Sequence, residues 1–168
     1  MKKYELTDET MKIGMTTLHR IKALAAFADV EIGDTGGWVE KESNLDQDGN
    51  AWVYGDAWVY GDARVYGNAR VSGNARVCDD AQVCDDARVY GNAHWLCIGP
   101  IGSRNGFTTF FRSAEKKVKV SCGCFTGDID QFTAKVNITH GDSDHAKVYM
   151  AAIELAKLRI DLSGEDAE

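Results

Sequence analysis

The residues of this chain that could do chemistry fall into four groups. His140 and His145 flank Gly141 to Asp144, and His140 with Asp142 or Asp144 would make a general base with an orienting carboxylate. A helix-end histidine beside an N-cap aspartate accounts for the same letters. Cys122 and Cys124 form a Cys-x-Cys pair, with Cys97 as the next thiol upstream. That set falls short of the four convergent ligands of a structural zinc site, so no metal is expected. Residues 99–106 (GPIGSRNG) place Ser103, Arg104, Asn105 and Gly106 in one loop. Its backbone N–H groups and guanidinium can cradle a phosphate or carboxylate, although a plain hairpin loop is the simpler reading. The fourth group is a triplet that occurs twice, Cys78-Asp79-Asp80 and Cys84-Asp85-Asp86. No nucleophile stands beside a base in any group, so the residues themselves point to no catalytic set and no cofactor.

Whatever these residues do, they must be held by the elements around them, and the middle of the chain is a repeat. Seven hexads run from Ala51 to Asn92, each opening on Ala with Val third, and most closing on Gly-Asn or Gly-Asp. Within a unit the pattern is Ala in, Arg or Trp out, Val in, Tyr out, which is the alternation of a strand. Gly, Asn and Asp then bend the chain, because they tolerate positive φ. Short strands joined by tight corners wind into a coil whose turns stack about 4.8 Å apart as parallel strands. Upstream, Val39 and Leu45 fit the period, with two residues inserted near Asp46 to Asn50.

The hexad VYGNAR resembles the repeat of the left-handed parallel β-helix family, whose members take three hexads per triangular coil. On that resemblance a separation of eighteen stacks Val53, Val71 and Val89 in one inner column. Val59, Val77 and Trp95 form a second, and Val65 and Val83 a third. Outside, Trp52 lies under Arg70 and Arg88, and Trp58 under Arg76 and His94. Trp52, Tyr54, Trp58, Tyr60 and Tyr66 then face outward on the first coil. So much aromatic surface must be covered by the N-terminal segment or serve as an interface. Cys78 and Cys84 take the outward Tyr position on adjacent faces, a poor geometry for a disulfide. Asp79 and Asp85 take the corner Gly position, where diverging carboxylates are expected to be solvated.

The expected fold is mainly β. It comprises an N-terminal cap over residues 1–38, a left-handed β-helix over 39–95, and a small C-terminal α+β module over 96–168. The cap is read as extended at Lys3 to Leu6 and Thr16 to Leu24. The module is read as three strands (93–98, 107–112 and 118–121) and two helices, with an acidic tail from Gly164. The first helix begins at Asp128 with Ile129, Phe132 and Val136 on one face. The second runs from Ala146 to Leu162 and carries Val148, Ile153, Leu155, Leu158 and Ile160, with Asp142 or Ser143 as N-cap.

The whole chain resembles hexapeptide-repeat proteins of bacteriophages and prophages, described as polymer-forming proteins or transferases. The resemblance is carried by residues 18–24 (LHRIKAL), 36–40 (GGWVE), Asn44 and Leu45 with the hexads, 102–106 (GSRNG) and 122–125 (CGCF). Enzymes on this coil are acyltransferases that use acyl-coenzyme A or a carrier protein. They usually act as trimers with a histidine base between subunits. The resemblance would make His140 or His94 that base.

A net charge of −7 argues against general binding to a nucleic-acid backbone. No apolar run approaches a membrane span of about 20 residues. The N-terminus MKKYEL lacks an apolar stretch behind its lysines, and five cysteines fit free thiols in a reducing compartment. The expectation is therefore a cytoplasmic protein of a bacterial host cell, a homo-oligomer (dimer or trimer) that binds rather than catalyses. On the phage-type resemblance it would block or sequester a host defence component, either a protein or a small nucleotide. Candidate contacts are Ser103 to Gly106 and the five aromatic residues of the first coil. An acyltransferase and a structural scaffold are the alternatives.

Overall fold

The computed structural model describes residues 1–164, so the acidic tail beyond Gly164 lies outside the described residues. The hexads form the expected stack. Strands β4 (Trp52–Val53), β5 (Trp58–Val59), β6 (Arg64–Val65), β7 (Arg70–Val71), β8 (Arg76–Val77), β9 (Gln82–Val83) and β10 (Arg88–Val89) each hold two residues. They pair in parallel at a separation of eighteen, with Val53, Val71 and Val89 in register. The inner Val and Ala of all seven hexads are fully buried, each valine contributing about 1.5–3 kcal/mol. Backbone bonds tie coil to coil: Trp52 N–H donates to Ala69 O at 3.1 Å and Tyr54 N–H to Val71 O at 2.8 Å.

Below the first hexad the separation widens. Val39 pairs with Val59 and Leu45 with Val65, a step of twenty that absorbs the inserted pair. Fully buried Asn44 bridges this step, its Nδ2 donating to Gly61 O (3.1 Å) and Ala63 O (2.8 Å).

The N-terminal segment is a hairpin of β1 (Tyr4–Ile13) and β2 (Thr16–Ala23), and β2 pairs antiparallel with β3 (Thr35–Val39). Both segments read as extended are strands, the first running on to Ile13 and the second ending at Ala23. Tyr4 donates its hydroxyl to Leu45 O at 2.7 Å, and buried Lys3 donates Nζ to Ala51 O at 3.0 Å.

The C-terminal unit departs from expectation in three ways. It has four strands, β11 (Trp95–Ile101), β12 (Gly106–Arg112), β13 (Val118–Cys122) and β14 (Phe125–Asp128), in an antiparallel meander. The fourth escaped notice because FTGD has one apolar residue, too short a signal for alternation. Trp95 leaves its expected column and pairs with Phe111, since the chain turns into β11 there. The second helix, α2 (Asp144–Arg159), stops short of Leu162 and is capped by Ser143, whose hydroxyl accepts from Ala146 N–H. The first, α1 (Ile129–His140), has the expected start, with Asp128 and Gln131 forming a capping box. Ile153 of α2 and the following Ile160 are buried, whereas Val148, Leu155 and Leu158 face outward.

The sheet sits between two cores. Phe111 is fully buried in the solenoid core, and Phe110 is fully buried against Phe132 and Tyr149 of the helices. Adjacent residues of a strand point to opposite faces, so β12 closes the solenoid with one face and holds the helices with the other. Thr109 accepts Gln82 N–H at 2.9 Å on the solenoid side. Lys119 reaches both Asp85 and Asp86 at 2.7 Å. The second Asp-Asp corner is therefore a docking point for the sheet, although Asp85 remains exposed to solvent.

Candidate functional site

The reason for the two Cys-Asp-Asp units is positional. Asp79 follows β8 and Asp85 follows β9, the terminal strands of their stacks. Their φ values of 58° and 56° match those of the corner glycines below them. A Cβ on Gly61 or Gly67 would meet the backbone of Asp79 or Asp85 at 3.1 and 3.0 Å. The last coil has no coil above it, so a side chain fits there. The carboxylates thus stand where the repeat ends, facing the sheet that follows.

Asp79 and Asp80 form one wall of a cleft of about 490 Å³ between the last coil and the C-terminal unit. Trp95, Leu96 and Phe107 give it an apolar side, and Asn92 and Arg159 close one edge. Arg159 donates Nη2 to Asn92 O at 2.7 Å, so its head is already engaged. Trp95 Nε1 is buried without a hydrogen-bond partner. Cys97 also lines the cleft, accepting from Thr109 Oγ1 at 3.7 Å. Burial, with smaller contributions from Asp80 and Asp79, pushes its thiol above the usual range. Neighbouring Cys78 is pushed up by burial too. A protonated thiol is a poor nucleophile.

The other candidates are dispersed. His140 stacks on Tyr149 at 5.6 Å and lies 5.8 Å from the His145 ring, while Asp144 goes to Lys147 at 3.3 Å. Among the described residues no hydrogen bond or ion pair is seen between His140 and Asp142 or Asp144. His94 accepts Tyr90 N–H at its Nδ1 (3.0 Å). Residues Gly99 to Ile101 belong to β11 and Gly106 opens β12, leaving Ser103, Arg104 and Asn105 on a short exposed turn. Half of the expected eight-residue cradle is strand. Gly102 is pressed against Tyr149, where a Cβ would overlap the hydroxyl.

Of the five aromatic residues of the first coil, Trp52 is buried and the other four are half-buried. Trp52 is buried at the edges of Tyr4 (6.1 Å) and Phe27 (5.4 Å), so it cannot serve as a docking residue. Tyr54 donates to Asp29 at 2.9 Å and lies under Arg70 at 5.6 Å, and Trp58 lies under Arg76 at 4.1 Å. Tyr60 and Tyr66 are half-buried, stacked below Cys78 and Cys84. Among the described residues no cluster of three or more His, Cys, Asp or Glu groups could hold a metal ion, and no helix is long and apolar enough to cross a membrane.

Sequence reasoning missed Asn92, Phe107 and Arg159, which come together only through the fold. The available signal was the change from Gly to Asp at a corner in the last hexads, which marks where stacking stops.

The family described as YdcK Beta solenoid repeat matches residues 63–79 and 81–94, which lie in the coils. A relative from Escherichia coli (strain K12), named "Uncharacterized acetyltransferase YdcK", is 36% identical over 62 residues. That match covers 32% of this chain and spans 19% of the relative's length. Hexad pattern, parallel register and family match agree that the chain is a mainly β protein built on a β-solenoid of hexapeptide repeats.

Proposed function

We propose that this is a non-enzymatic binding protein, in which a left-handed solenoid capped by the N-terminal hairpin presents the cleft at its far end to a partner. The observation that carries this reading is the cleft itself, where two carboxylates meet an aromatic wall beside the Cys97 thiol. Two carboxylates against one engaged guanidinium disfavour a nucleotide phosphate and favour a basic side chain, which gains from both carboxylate and ring face. The partner is therefore a protein, and the phage-type resemblance makes it a host defence component that is held and blocked in the bacterial cytoplasm. Native mass spectrometry of the protein recovered from a bacterial host tests this. A retained protein partner that is lost in Asp80→Lys, with far-ultraviolet circular dichroism unchanged, supports the reading. Retention unaffected by Asp80→Lys defeats it. The relative's printed name favours a second reading, acetyl transfer. In that case acetyl-coenzyme A is consumed, and His140→Ala or His94→Ala abolishes turnover without unfolding.

A further inference from the structure

Helix α2 carries an apolar stripe that the fold leaves open. Val148 is 43% exposed, Leu155 48% and Leu158 88%, and Ala151 between them is exposed as well. These four recur at spacings of three and four, the seam of a helix pair. The buried face of the same helix is separate, built from Ala146, Tyr149, Ala152, Ile153 and Ala156. The stripe is thus a second apolar face, and among the described residues neither core cluster includes it. Its centre is the smallest residue, Ala151, where another helix can approach most closely.

The charges beside the stripe are self-complementary in one orientation. Lys147 and Glu154 lie on the same flank, seven residues apart. Each is otherwise held only by an exposed contact one turn away, Lys147 to Asp144 (3.3 Å) and Glu154 to Lys157 (3.0 Å). Exposed pairs of this kind are weak, so they exchange readily. When two copies of α2 cross antiparallel with the two-fold axis near Ala151, Lys147 of each copy faces Glu154 of the other. On the opposite flank, Val148 of each copy meets Leu155 of the other. A parallel pair would set this charged flank against the Val148 and Leu155 flank of the other copy, so Lys147 and Glu154 would not meet.

We infer that the protein associates with a second copy of itself through an antiparallel pairing of α2, centred on Ala151. This does not depend on what the cleft binds.

Sedimentation velocity on the full chain tests the pairing. A dimer is expected, and Leu155→Glu should convert it to a monomer with unchanged circular dichroism and thermal midpoint. Should that variant misfold, Leu158→Gln serves in its place. Lys147→Glu should weaken dimerisation about tenfold, because two attractive pairs become repulsive. Combining it with Glu154→Lys should restore the parent affinity. A parent chain that stays monomeric overturns the inference. So does a dimer indifferent to the stripe variants, or a double charge variant no tighter than Lys147→Glu alone.

Discussion

At the corners of the coils one backbone torsion decides which residue is allowed. Gly55 and Gly73 have φ near 60°, but their surroundings differ. A Cβ on Gly55 meets nothing, whereas one on Gly73 would overlap the Tyr90 carbonyl in the next coil. Gly55→Ala should therefore cost about 1 kcal/mol for the left-handed torsion alone. Gly73→Ala should cost clearly more, because the backbone it meets cannot yield. Asp79 holds the same torsion with no coil above it, and Asp79→Gly should leave stability unchanged or raise it by up to about 1 kcal/mol. Asp85→Gly should gain less, because Lys119 loses a partner at 2.7 Å. Urea denaturation of the four variants checks the order. The identity of the corner residues was legible in the hexads. That Asp85 and Asp86 receive Lys119 was not, since thirty-four residues separate Asp85 from Lys119.

Strand β12 couples the two cores, and its two phenylalanines separate the contributions. Phe111→Ala opens the end of the solenoid and Phe110→Ala loosens the helices, each at a cost of about 3–5 kcal/mol. Hydrogen exchange should distinguish them. Phe111→Ala should lose protection first in β7 and β10, and Phe110→Ala first in α1 and α2, where Phe110 lies 6.2 Å from Phe132. Equal loss in both regions from either change would mean one core rather than two. The letters FTTFF announce a strand, yet alternation alone does not say what lies on either side of it. The same limit explains α2, whose apolar residues occupy two faces, only one of which the sheet covers.

For the molecule as a whole, the solenoid has two ends, and different structures meet them. The N-terminal hairpin contacts the first coil through Tyr4, Phe27 and Lys3. The C-terminal sheet meets the last coil through Phe111, Thr109 and Lys119. An uncovered coil offers unpaired backbone and apolar columns to other chains. A chain ended at His94 should therefore associate into large particles by light scattering, while the full chain gives a small, discrete species. A small species from the shortened chain would show that the sheet is dispensable to the coil.

From the sequence alone come the six-residue step, the buried Ala and Val ladders, the glycine corners and the inserted pair near Asp46 to Asn50. These follow from local torsions and a fixed period, which neighbouring letters contain. Only the tertiary structure decided that Trp52 is covered, that His140 packs on Tyr149, and that Asp79, Trp95 and Arg159 share one cleft. Each of those depends on where distant segments dock once the repeat stops, and no short-range pattern carries that information.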